Sequence, residues 1–194
     1  MKLAICVPTY DRWEAEFGAS LALTMVDLAV SGKLESIRLI RSDGSIASDG
    51  RNDLIRDALD KLATHILWCD TDMQFRPEVV WSLISRDLVF VAADYLTRLP
   101  PNKSIAKDMD GNPVKVGEGI VEVLQCGLGL TLMRTEMIGK MTYPWSGFMT
   151  HDTGTLDDSV WLCRNARNAG YKLFVDQHAS RGTGHVGKHI YRIG

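Results

Sequence analysis

Two aspartates one residue apart, Asp70 and Asp72, follow an apolar run in Cys69-Asp70-Thr71-Asp72-Met73. In extended backbone alternate side chains point the same way, so both carboxylates would face one side. Two hard oxygen ligands at a strand end suit Mg²⁺ or Mn²⁺. The same pair equally suits a strand-to-loop turn in which aspartates accept from backbone amides, and a bare Asp-x-Asp does not choose between them.

Other residues gain meaning beside that pair. In open α/β sheets ligands sit beyond the carboxyl ends of strands, and Pro8-Thr9-Tyr10, Asp43 and Asp70 to Asp72 all fall at such ends. Three loops would then share one crevice, with a base and ribose near the first two and a metal-bridged diphosphate at the third. Taken singly, Pro8-Thr9-Tyr10 and Asp43-Gly44 are ordinary turn chemistry. Arg51-Asn52 opens a helical segment, where an arginine at a helix N-terminus can receive phosphate or ribose oxygens; a solvated Arg51 beside an Asn52 cap is the plainer alternative. Asp157-Asp158 also starts a helix. A carboxylate there could take a proton from an acceptor hydroxyl, and it could equally cap the helix. In Gly184-His185-Val186-Gly187 a neutral imidazole would complete a three-ligand Mn²⁺ site with the aspartates, although a lone histidine is more often a surface or core residue.

The elements that must position these groups follow from periodicity. Short apolar runs alternate with segments of helical period, the pattern of an α/β domain with a mostly parallel sheet flanked by helices. Strands are expected at 3–7, 37–40, 65–69, 88–93, 119–125, 128–133 and 171–175. Helices are expected at 13–30, stopped by Gly32, at 52–63, where Leu54, Ile55, Ala58, Leu59 and Leu62 share a face, and at 158–169, closed by Gly170. Segments 99–117 and 142–155 read as long surface loops of the kind that serve as lids or binding loops, disorder being the alternative.

Composition sets the limits. With 194 residues and 45% hydrophobic content the chain is expected to be one domain spanning 1–194. A net charge of −2 from 22 basic and 24 acidic residues gives no global field for nucleic acid or an acidic membrane, so any polyanion must be held locally. The exception is the tail. Nothing after Asp176 is acidic, while Arg181, Lys188 and Arg192 are basic, a set that could neutralise a phosphate. Cys6, Cys69, Cys126 and Cys163 lack metal-ligand spacing and read as buried free thiols. No apolar run reaches membrane-spanning length and no signal peptide is evident, so a reducing, cytoplasmic setting is expected.

In order and spacing, these motifs resemble the GT-A glycosyltransferases, a Rossmann-like fold of nucleotide-diphospho-sugar transferases. The resemblance is closest to short forms near glycosyltransferase family 2 that occur in phage and bacterial genomes. The matching pieces cover nearly the whole chain: Ile5-Cys6-Val7-Pro8-Thr9-Tyr10, Gly50-Arg51-Asn52, residues 65–73, Ala93-Asp94-Tyr95, residues 127–134, the acidic helix start, Ala169-Gly170-Tyr171-Lys172 and Gly184-His185-Val186-Gly187. The resemblance implies a metal-dependent transfer of a hexosyl or pentosyl group from a nucleotide-sugar, a UDP-sugar by family frequency. It places Pro8, Thr9, Tyr10 and Asp43 on the base and ribose, and Arg51 and Thr71 on the donor. Asp72 and His185 become ligands of Mn²⁺ or Mg²⁺, and Asp70 binds the sugar or ribose and the metal's water shell. The family's Glu-Asp pair departs here: one alignment puts Asp158-Ser159 in its place, a one-residue shift Asp157-Asp158. Asp158 is acidic under both and is the first choice for the base, with Asp157 second.

The resemblance implies no acceptor. A glycan, a lipid-linked sugar, a small molecule, a protein and a modified phage DNA base all remain open, as do stereochemistry and self-association. A silent sugar-nucleotide-binding module and a nucleotidyltransferase are the rival readings. The second lacks support in Pro8-Thr9-Tyr10-Asp11-Arg12, which is not a glycine-rich phosphate loop, and a phosphatase nucleophile pair would follow the first strand rather than the third.

Overall fold

The computed structural model describes residues 1–43, 47–98, 100–151, 154–187 and 189–193, with backbone alone at 43, 149–151 and 154–156. The first strand, β1 (Lys2–Thr9), is apolar at five successive positions because both its faces are covered. Leu3, Ile5 and Val7 point into one core and Ala4 and Cys6 into the other. The first core is closed by α1 (Ala15–Val30), through Phe17, Leu21 and Leu28, and by α3 (Pro77–Ser85), through Val79, Val80 and Leu83. The second is closed by α2 (Ala47–Asp60), through Leu54, Ile55 and Ala58, and by α4 (Asp158–Asn168), through Leu162, Cys163 and Ala166.

Between these layers lies a seven-stranded sheet, counted among the described residues. Its order is β2 (Ser36–Asp43), β1, β3 (His65–Cys69), β7 (Leu130–Arg134), β5 (Phe90–Ala92), β10 (Leu173–Asp176) and β6 (Ile120–Val123). β2, β1, β3, β5 and β10 run one way; β7 and β6 oppose them. The expected mostly parallel α/β architecture is therefore present, with an antiparallel strand set into its centre. That reversal brings the start of β7 beside the ends of β3 and β5, where Asp70 N–H donates to the Gly129 carbonyl at 2.9 Å.

Several boundaries differ from expectation for local reasons. α1 starts at Ala15 rather than 13 and stops at Ser31, after which Gly32 takes φ 64, a left-handed turn that glycine enters without strain. α2 begins at Ala47 rather than 52. α3 was not expected, although Pro77 in its first turn is a helix-start signal. Segment 99–117 is packed rather than free: the Asp94 carboxylate accepts from Ser104 Oγ at 2.5 Å and Ala106 N–H at 3.0 Å, and Ala106 is wholly buried; Leu99 lies outside the described residues. Segment 142–155 leads into a hairpin of β8 (Met149–His151) and β9 (Gly154–Leu156).

A second sheet adjoins the carboxyl end of β3. It pairs β4 (Met73–Gln74) with β11 (Gly184–Val186) and β11 with β12 (Ile190–Arg192), all antiparallel. α5 (Gln177–Arg181) leads into it from β10. All four cysteines are buried free thiols. Among the described residues no helix is long and apolar enough to cross a membrane.

Candidate active site

The second sheet explains how residues over a hundred positions apart meet. Asp72 precedes β4 and His185 sits in β11, and the pairing His185↔Met73 fixes them side by side. His185 Nε2 lies 3.3 Å from Asp72 Oδ2. Its Nδ1 is 2.8 Å from the Leu96 carbonyl, and since a carbonyl only accepts, Nδ1 carries the proton. Nε2 faces the carboxylate: with a proton it donates to Oδ2, and without one it offers a lone pair to a cation bound there. The Arg98 guanidinium adds a positive charge at 2.9 Å from Asp72 Oδ2. Burial pushes the Asp72 carboxyl up, but hydrogen bonding and charge from His185 and the charge of Arg98 outweigh it and hold it below the usual carboxylate range.

Asp70 turns the other way. Its Oδ1 accepts from Arg51 Nη2 at 2.9 Å, while Arg51 Nε reaches Asp158 Oδ2 at 2.5 Å. Arg51 lies 5.1 Å from the centre of the Trp68 ring and is 4% exposed, so a buried guanidinium clamps two carboxylates from different ends of the sequence. It enters from α2, not from a solvated helix tip, and its Nη1 is buried without a hydrogen-bond partner among the described residues. Burial works against the charged guanidinium, yet Asp70 and Asp158 raise its pKa further. Asp70 itself is raised, chiefly by burial, which Arg51 only partly offsets.

Asp157 and Asp158 divide their tasks. Asp157 caps α4, accepting from Val160 N–H at 2.9 Å and Ser159 Oγ at 2.6 Å. Asp158 points to Arg51. Both line a crevice of about 220 Å³ together with Arg51, Asp70, Asp72, Arg98 and His185. At the neighbouring strand ends Thr9 pairs with Asp43, whose side chain lies outside the described atoms. The Thr9 hydroxyl accepts from Trp13 Nε1 at 3.1 Å, and Tyr10 is 78% exposed. Thr71 gives its carbonyl to Glu14 N–H at 3.0 Å. The structure thus brings Asp70, Asp72, Asp158, Asp157, Arg51 and His185 to one crevice, and Pro8, Thr9 and Tyr10 to the strand ends beside it.

Two participants were not singled out from sequence. Arg98 carried no signal, being one basic residue in a polar loop. Tyr95 had an indirect one in Gly127 and Gly129: the Tyr95 hydroxyl accepts from Gly129 N–H at 3.1 Å, and a Cβ on either glycine would collide with the tyrosine ring or hydroxyl. Tyr95 in turn meets His185 edge-on at 4.9 Å between ring centres.

As for a divalent ion, Asp72 and His185 fit one: a carboxylate and an imidazole lone pair converge, and the far ring nitrogen is fixed by a backbone carbonyl, the usual support for a metal-bound histidine. Asp70 is committed to Arg51, and among the described residues no three such side chains converge at metal-binding spacing.

No family model and no curated protein matches the sequence. Solved structures do match. A197 from STIV superposes with a TM-score of 0.59 at 14% identity, over 100% of this chain and 98% of that one. The two share one α/β fold. Two further similar structures are S. aureus TarS 1-349, with a TM-score of 0.48 at 16% identity over 90% of this chain and 58% of that one, and a glycosyltransferase involved in the glycosylation of the major capsid of PBCV-1, with a TM-score of 0.42 at 10% identity over 72% and 63%. On this sheet the crevice lies beyond the carboxyl ends of β3 and β5, the edge where open α/β sheets bind their ligands.

Proposed function

We propose that this protein is a glycosyltransferase that moves a sugar from a nucleotide-sugar, a UDP-sugar in the first instance, to a hydroxyl acceptor. The observation that carries the reading is the convergence of Asp72 with His185 and of Asp70 with Asp158 on one crevice of an α/β fold. Asp72 and His185 would hold Mn²⁺ or Mg²⁺. Such an ion, when bound, stabilises negative charge on a departing diphosphate.

The chain's own residues supply the remainder. Asp158 keeps Oδ2 on Arg51 and has Oδ1 left to accept the proton of an acceptor hydroxyl. As that proton leaves, the acceptor oxygen bonds to the anomeric carbon, and the bond from that carbon to the diphosphate oxygen breaks with its electron pair going to the diphosphate. Arg98, half-exposed at the crevice, is placed to receive a phosphate oxygen. Arg51 orients Asp158 rather than gripping the donor itself.

One observation favours a silent binding module instead: Asp157 is occupied as a helix cap and Asp158 is already ion-paired. Calorimetry of the protein with UDP and UDP-sugars, with and without Mn²⁺, decides the donor, and donor hydrolysis in the absence of acceptor decides the chemistry. Metal-dependent binding lost in Asp72→Ala and His185→Ala, with hydrolysis lost in Asp158→Asn, is the expected result. Metal-dependent binding with no hydrolysis leaves the silent module, and absence of binding overturns the donor site.

A further inference from the structure

A groove of about 710 Å³ lies apart from the active-site crevice. It lies behind β4, where Arg76, Arg181 and Arg192, all exposed, meet Ala15, Ala19 and Leu23 of α1. Glu16 is the one carboxylate in its lining, so the groove carries a positive excess. Arg181 and Arg192 belong to the acid-free tail noted in the sequence, and neither acts in the crevice. Arg181 donates to the Gly117 carbonyl at 2.8 Å and Arg192 donates to Gln74 Oε1, which holds both at the groove.

The apolar wall continues past the groove. Leu23, Val26 and Val30 follow at three- and four-residue steps on the outer side of α1 and are 64%, 63% and 81% exposed. α1 is thus apolar on both sides, although its inner side alone is needed for the core. A helix of that kind is ordinarily covered on its second face as well. Asp27, the acid on this stretch, is engaged by Trp81 Nε1 at 2.5 Å, and at the far end Lys33 lies 5.0 Å from the centre of the Trp81 ring.

We infer that the α1 ridge and the arginine groove together form a docking surface for a negatively charged phospholipid bilayer. An aliphatic ridge between basic groups matches acyl chains beside anionic headgroups. A nucleic acid would be met by basic and stacking groups rather than by Leu23, Val26 and Val30. A second copy docked symmetrically would bring like arginines together. Gln74 lines the groove and stands two residues after Asp72 of the crevice, so β4 links the two.

The test is co-sedimentation of the full chain, without nucleotide or metal, with vesicles of phosphatidylcholine alone and of phosphatidylcholine mixed equally with phosphatidylglycerol. It is independent of the proposed activity, because donor binding is read separately. Expected is binding to the mixed vesicles only, weakened about tenfold or more in Val26→Asp/Val30→Asp and in Arg76→Glu. These three side chains are exposed, and unchanged melting temperatures will show that the variants fold. No binding to the mixed vesicles overturns the proposal. So does equal binding by the ridge variant, a dimer in sedimentation equilibrium that Val26→Asp/Val30→Asp dissolves, or salt-dependent DNA binding without vesicle binding.

Discussion

Arg51 holds Asp70 and Asp158 in place, and removing it would leave a void and two partly buried carboxylates at the crevice without a counter-charge. Breaking a buried pair from one side costs about 3–5 kcal/mol, so Arg51→Ala is expected to lower stability by that amount in urea unfolding. Arg51→Lys should recover part of it, because an ammonium is a point charge that cannot meet both acids with a rigid fork. Gly127 makes the second residue-scale case. A Cβ there would overlap the Tyr95 hydroxyl and ring, which are buried and cannot swing away, so Gly127→Ala should cost about 1–3 kcal/mol by the same measurement. Residues of this kind were unevenly legible. Asp70, Asp72 and Asp158 announce themselves by charge at predicted strand and helix ends, and His185 by its glycine neighbours. The bridging role of Arg51 could not be read, because it depends on α2 and α4 lying on the same face of the sheet. Arg98 is visible only once β11 has carried His185 to Asp72.

α5 is a short helix whose attachment depends on Asp176. That buried carboxylate accepts from His178 N–H and Ala179 N–H at the N-terminus of α5, from Ser82 Oγ on α3 and from Arg86 just past the end of α3, tying two helices to the end of β10. Burial pushes Asp176 up, but Arg86 and Ser82 outweigh it and hold it below the usual carboxylate range. A depressed carboxyl stabilises the fold fully above the unfolded value, about 3.9, and that contribution fades as pH falls through the folded value. Acid titration of stability should therefore show a loss below the ordinary range that Asp176→Asn removes, the variant being weaker by about 1 kcal/mol at neutral pH because Arg86 and Ser82 lose a charged acceptor. Elements with strong local patterns, such as α1, β1 and β3, were readable. α3 was overlooked because it is only nine residues long and its clustered apolar residues, Val79-Val80-Trp81 and Leu83-Ile84, do not separate helix from strand, though Pro77 marked its start. β4, β11 and β12 are two or three residues long and exist through pairing with one another, which no local pattern encodes.

Over the whole molecule, both faces of the sheet are sealed, and the thiols record it. Burial pushes Cys6 up to about 12, and Cys69 and Cys126 are raised as well, Cys126 through Cys163 first and burial second. Since thiolate is the reactive form, all four cysteines should resist alkylation in the folded protein and react together on unfolding, as counted by mass spectrometry. The fold class was legible because alternating strand and helix patterns admit few layered arrangements; the direction of β7 was not, since an apolar strand reads the same both ways. That strand has a consequence during synthesis. β3 and β5 have both left the ribosome well before residues 130–134; until then β3 is paired on its β1 side alone and β5 on neither side. The nascent chain holds open these apolar edges through that interval. A fragment ending at residue 87 should consequently partition into the insoluble fraction and return to solution when residues 88–194 are supplied beside it. The central strand acts as a bridge: it joins β5 to the half built on β1, and only afterwards can β10 bring β6 onto the far edge.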